Sequence, residues 1–231
     1  MSGDWATSAL GWWHDAGVDT IVAEAPRNWL KPASAAPTAT ASDLPDAAVQ
    51  SGLPDDLAAF RLWLAESPDL PLAAPTARRF APEGDPTADL MIMVSMPGRA
   101  GLVDGDEGAL LDRMLKAIGY ARDSVYLAPL SPIRTPTGRL NADDLKMLGP
   151  IARHHVALVK PKALLLFGDA CAQALVGAPV SGARGRWHEV ETPAGPIRAI
   201  ATIRPEDMDR TPGLKKLAWE DLQMLMEGLK A

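Results

Sequence analysis

From Asp89 onward the chain alternates between short apolar runs and longer segments whose apolar residues recur at helical spacing. "LMIMVSM" (Leu90–Met96), "SVYLAPLS" (Ser124–Ser131), "ALLLFG" (Ala163–Gly168) and "PIRAIATI" (Pro196–Ile203) predict four strands. The unbroken "ALLLFG" predicts burial on both faces. Between the strands, "EGALLDRMLKAIG" predicts a helix closed by Gly119, and "NADDLKMLGPIARHHVALVKP" one opened by Asn141 with a bend at Pro150. "DACAQALVG" and "PGLKKLAWEDLQMLMEGLK" supply two more helices. Strands followed by helices in this order predict a three-layer α/β/α sandwich with a central, mainly parallel sheet over residues 53–231.

Upstream, Leu57, Phe60, Trp63 and Leu64 form an apolar stripe that predicts a helix from about Asp55 to Glu66. Residues 31–52, "KPASAAPTATASDLPDAAVQSG", are rich in Ala, Pro, Ser and Thr and predict a flexible linker. Residues 1–30 form a Trp-rich segment in which Trp12, Trp13, Val18 and Ile21 share helical spacing.

Composition narrows the setting. No apolar run approaches the ~18–20 residues needed to cross a bilayer, so no membrane role is expected. No basic segment followed by an apolar one opens the chain. The single cysteine, Cys171, excludes an internal disulfide and a multi-thiolate metal site, and a reducing cytoplasm is the expected location. Cys171 itself reads as a small core residue. The net charge of −6 argues against indiscriminate nucleic-acid binding, but it is unevenly placed: −8 over residues 1–150 and +2 over residues 151–231.

The stretch "LMIMVSMPGRAGLVDGDEGALLDRML" runs from strand through a Pro-Gly turn and an acidic loop into a helix, an arrangement that places functional groups at a strand's carboxyl end. Three segments in order, "GALLDRMLKAIGYARDSVYLAPLSPIRTPTGR", "KPKALLLFGDACAQALVG" and "RGRWHEV…TPAGPIRAIATIRPEDMDRTPGLKKLAWEDLQ", resemble the uracil-DNA glycosylases, especially the iron–sulfur group called family four. The resemblance covers about Asp85 to Leu229 and implies a fold that extrudes a uracil from DNA and cleaves its N-glycosidic bond. It also implies an acid acting at the sugar, a donor to the departing base, an Asn reading the uracil edge and an aromatic ring stacked on it.

This chain departs from that pattern at each of those positions. The family's G-E-A/G-P-G motif matches Val94, Ser95, Met96, Pro97 and Gly98, so Ser95 stands where the acid is expected. The stacking Phe of "PFVGRAG" falls on Val103, the base-reading Asn on Pro129, and the His of the "HP" motif on Arg204. Loss of one such group commonly costs about 10²–10³-fold in rate. The cluster cysteines are missing too: two of their positions fall on Ile133 and Leu148, so no iron–sulfur cluster and no metal are expected.

What remains supplies the candidates. Asp104, beside Asp106 and Glu107, is the best placed relocated acid, and Arg204 is its partner if the chain is an active enzyme. Arg184, Arg186, Arg210, Lys215 and Lys216 are candidate DNA contacts, opposed by Glu206, Asp207 and Asp209 in the same region. His154 and His155 face different ways on their helix and read as structural, while Trp63 and Trp219 read as core. Trp5, Trp12, Trp13 and Trp29 either dock on the domain itself or bind a protein partner. Three functions stay open: a glycosylase-like protein with uracil excision lost or strongly weakened and DNA or partner binding retained, an active glycosylase with altered base specificity, and a pure protein-interaction module.

Overall fold

The computed structural model describes residues 52–74 and 76–230. The Trp-rich segment at residues 1–30 and all but the last residue of the 31–52 linker lie outside the described residues.

Helix α1 (Leu57–Glu66) begins at Asp56, whose carboxylate caps it by accepting from the Ala59 amide at 2.9 Å. Strand β1 (Glu83–Gly84) precedes β2 (Leu90–Val94), which leads into helix α2 (Gly105–Ala117). A short 3₁₀ turn at Arg122–Ser124 delivers β3 (Tyr126–Pro129). Helix α3 (Ala142–Val159) opens on a reciprocal cap: Asn141 Oδ1 accepts from the Asp143 and Asp144 amides, and Asp144 accepts from the Asn141 amide. Pro150 lies inside that helix. Then follow β4 (Ala163–Phe167), α4 (Gly168–Val176), α5 (Val180–Ala183), β5 (His188–Val190), β6 (Ile197–Thr202), α6 (Pro205–Arg210) and α7 (Leu214–Lys230).

The strands form one sheet in the order β1-β3-β2-β4-β6-β5. The four inner strands are parallel, and every residue of β2, β3 and β4 is buried, as expected for strands covered by helices on both faces. The α/β sandwich anticipated from the hydrophobic pattern is the one observed. Not anticipated were the antiparallel edge strands β1 and β5, which are only two and three residues long and mostly exposed, so they carry no apolar signature.

A second, smaller apolar cluster joins Phe60 and Leu64 of α1 to Leu70, Ile133 and Ile151. Both histidines of α3 flank the Phe60 ring of this junction, and each faces a different hydrogen-bond partner. The His155 ring lies 5.0 Å from that of Phe60 and the His154 ring 5.3 Å. His154 Nε2 meets the Pro54 carbonyl at 2.8 Å, and His155 Nε2 meets the Tyr126 hydroxyl at 2.9 Å. Burial, with the charges of Arg61 and His154 beside it, pushes the His155 pKa down to about 3. Trp63 is half-buried and stacks on Phe60, whereas Trp219, expected in the core, is 39% exposed on α7.

Candidate functional site

The chain steps from β2 to β3 on one side and reaches β4 on the other, so the loops after β2 and β4 diverge and leave a crevice at the strands' carboxyl ends. Two adjoining cavities occupy it, of about 420 Å³ and about 520 Å³. They share Ser95 and Met96 after β2, Gly138 and Arg139 after β3, and Arg204 after β6.

Ser95 lines both cavities with only 9% of its surface exposed, and its hydroxyl has no partner among the described residues. Its carbonyl is fixed by the Ser131 amide at 3.0 Å. Met96 also faces both cavities, and the Pro97 carbonyl accepts from Arg134 at 3.0 Å. Val103 is buried on the wall of the larger cavity. Pro129 is placed differently from expectation: it closes β3 opposite Val94 inside the sheet and is not among the residues lining either cavity.

Asp104 lines the larger cavity and is engaged by its own loop. Its Oδ2 accepts from the Ala100 and Gly101 amides, and its carboxylate packs so closely on Gly98 that a Cβ there would lie 2.8 Å from Oδ1. Asp169 is likewise engaged, accepting from the Val180 amide at 2.8 Å.

Arg204 is held by its own helix. Its Nε and one terminal nitrogen donate to the two oxygens of Asp207, each at 3.0 Å, and the other terminal nitrogen lies 3.3 Å from Glu206. Burial works against its charge, but the bonds to Asp207 and the charges of Asp207, Glu206 and Glu107 outweigh it and raise its pKa. Gly168, at φ +85°, lets Arg204 pass: a Cβ at this position would lie 2.5 Å from Arg204 Cγ.

Glu107, in the first turn of α2, is the exception among the acids around the crevice. It lines the larger cavity, half-buried, and makes no hydrogen bond or ion pair among the described residues. Burial raises its pKa; the charges of Glu206 and Asp104 add to the rise, while Arg204 and Arg134 oppose it.

The basic side chains divide in the same way. Arg210 pairs with Glu206, and Lys215 lies 3.7 Å from Asp209. Arg186 donates to the Gly182 carbonyl at 3.1 Å, and Lys216 is exposed early in α7. Arg184 is engaged within the fold. Its guanidinium, 20% exposed, is bound to the fully buried Asp221 and to the Leu217 carbonyl at 2.7 Å. Sequence reasoning missed Arg99, Arg134 and Arg139, which approach the larger cavity from the loops after β2 and β3. Neither Arg99 nor Arg139 has a side-chain partner among the described residues, and Arg134 commits one nitrogen to Pro97. Their position just after parallel strands was the available signal.

The positions matching the family's cluster do not fit a metal. Ile133 and Leu148 are buried apolar side chains, and Cys171 is fully buried with its thiol pKa pushed up by burial. Among the described residues no group of three or more His, Cys, Asp or Glu side chains could hold an ion.

A parallel sheet with its crevice at this switch point, entered by a Pro-Gly turn after its first long strand, defines an α/β domain with a candidate binding site at the strands' carboxyl ends. Residues 81–223 match the uracil DNA glycosylase superfamily, and the chain belongs to that superfamily. It is similar to the Type-4 uracil-DNA glycosylase of Archaeoglobus fulgidus, with 23% identity over 156 residues that cover 62% of this chain and 78% of that protein. No helix among the described residues is long and apolar enough to cross a membrane.

Proposed function

We propose that the crevice binds DNA, that ordinary uracil excision is lost or strongly weakened, and that the domain works in DNA repair without an iron–sulfur cluster. One observation carries the reading: a neutral hydroxyl, Ser95, stands in the pocket where the resemblance calls for a carboxylate, while the guanidinium groups of Arg99 and Arg139 remain uncommitted at its rim. A hydroxyl cannot offset the positive charge that develops on the sugar, so the reaction loses its main electrostatic support. Unpaired arginines keep full capacity for phosphate. DNA contact in this reading shifts from Arg184, Arg210 and Lys215 to Arg99, Arg134 and Arg139.

The test is titration of fluorescent single- and double-stranded oligonucleotides at 50 and 200 mM salt. Binding that weakens with salt is expected, and Arg139→Ala should lower the salt slope by about one counterion. Absence of binding at 50 mM salt would refute the DNA-binding reading. Rapid excision from a uracil-containing oligonucleotide would refute the weakened-activity reading.

The four tryptophans within residues 1–30 favour a second role for that segment, docking to a protein partner while residues 53–231 form the glycosylase-like domain. A chain lacking residues 1–50 should keep DNA binding and lose a co-purifying protein. Retention of that protein would remove the role.

A further inference from the structure

Four carboxylates around the crevice are already used. Asp104 holds the Ala100 and Gly101 amides, Asp169 the Val180 amide, and Glu206 and Asp207 bind Arg204. Glu107 alone among the acids lining the two cavities has no partner among the described residues. The same cavity is lined by Ser95, more than nine-tenths buried with its hydroxyl unpartnered among the described residues, and by Arg204, which is held in place by two carboxylates. A free acid, a buried hydroxyl and a fixed cation facing one cavity are the parts that hydrolysis of an N-glycosidic bond requires.

From this arrangement we infer that Glu107 is a catalytic carboxylate, serving the crevice from the first turn of α2 in place of the acid absent at Ser95. The inference rests on the DNA-binding reading and names the residue and chemistry by which a base other than uracil would be released. In the step, Glu107 orients a water against the anomeric carbon of an extruded nucleotide. The carbon–oxygen bond forms as the carbon–nitrogen bond breaks, and the bonding pair leaves with the base. The water's proton passes to Glu107, and Arg204 donates N–H groups not engaged by Asp207 or Glu206 to the departing anion. Glu107 then returns its proton to the released base, so no other reactant is consumed. The absence of a side-chain donor at Pro129 and of an aromatic ring at Val103 removes the devices that favour uracil. Two adjoining cavities leave room for a bicyclic base.

The neighbouring carboxylates Asp104 and Glu206 disfavour ionisation of Glu107, Arg204 and Arg134 favour it, and burial makes the net shift upward. The acid must be ionised to accept the proton, so the rate should rise with pH through a value above the ordinary glutamate range and then level off.

The experiment uses the full chain with single-stranded oligonucleotides containing hypoxanthine, xanthine or uracil, followed by alkaline cleavage at abasic sites, with DNA binding measured in parallel. The expected result is slow release of hypoxanthine or xanthine, reduced about 10²-fold or more in Glu107→Gln, with partial retention in Glu107→Asp and unchanged binding. Equal rates for wild type and Glu107→Gln, or a pH-independent rate, would overturn the assignment. No release of any base with binding intact would also overturn it while leaving the DNA-binding reading in place. Loss of binding itself would remove both.

Discussion

Acidification offers the sharpest test of how α1 is fastened to the sheet layer. His155 is fully enclosed by Phe60, Tyr126 and the α3 backbone, and its pKa is pushed down to about 3 from an ordinary 6.5, burial being the main cause and the charges of Arg61 and His154 adding to it. A neutral ring can accept a hydrogen bond from the Tyr126 hydroxyl; a protonated one cannot. Burial raises the Tyr126 pKa to about 12, so that hydroxyl keeps its proton across the working range. Because the histidine pKa is depressed in the folded state, the unfolded chain binds the proton first. The stability tied to His155 is therefore complete above about pH 6.5 and is lost as pH falls through the interval down to about 3. At about 1.4 kcal/mol per pH unit, the loss between pH 7 and pH 5 is ~2 kcal/mol, with a limit of ~5 kcal/mol below pH 3. Against a typical domain stability of about 5–15 kcal/mol, even the first of these is readily measured. The assay is urea denaturation at pH 7, 6 and 5 on the wild type and on His155→Gln, which can still bond to Tyr126 but does not titrate. The variant starts less stable because a glutamine packs poorly on Phe60, and its curve against pH should be flatter by about 1.2 kcal/mol between pH 6 and pH 5. Parallel curves for the two proteins would refute the reasoning.

Two further outcomes follow from side chains placed by the fold. Asp221, fully buried, accepts from Thr202 at 2.8 Å, from Gly185 at 3.1 Å and from Arg184, so Asp221→Ala strands a buried cation and should cost about 3–5 kcal/mol in a denaturant titration. Gly168→Ala puts a side chain at φ +85° and against Arg204, so it should cost about 1–3 kcal/mol and displace Arg204, seen as a lower melting temperature together with slower base release.

Much of the scaffold could be read directly from the chain. The inner strands are apolar at every position because both faces are covered, and such runs are conspicuous in "LMIMV" and "ALLLF". The start of α3 was equally legible, since Asn141 caps by local chemistry. The edge strands were not, because "EG" and "HEV" pair by backbone alone and their side chains say little. At the crevice, residue types were visible but their commitments were not. Asp104 and Glu107 sit three positions apart at the start of α2 and line the same cavity, yet the first accepts from Ala100 and Gly101 and the second has no partner among the described residues. Which arginines are free depended on contacts made across the fold: Arg184 is taken by Asp221, 37 residues away, whereas the Arg139 guanidinium has no partner among the described residues. The burial of His154 and His155 was hidden for the same reason, since only the arrival of α1 covers that side of α3.

The two outermost strands run against the direction of their neighbours and are two and three residues long. Each presents an approaching chain with too few backbone groups to template an intermolecular ladder, while the long apolar runs that would readily stack into fibrils are shut inside. Among the described residues the sheet is thus terminated at both margins by brevity, which leaves helices and loops as its broader surfaces.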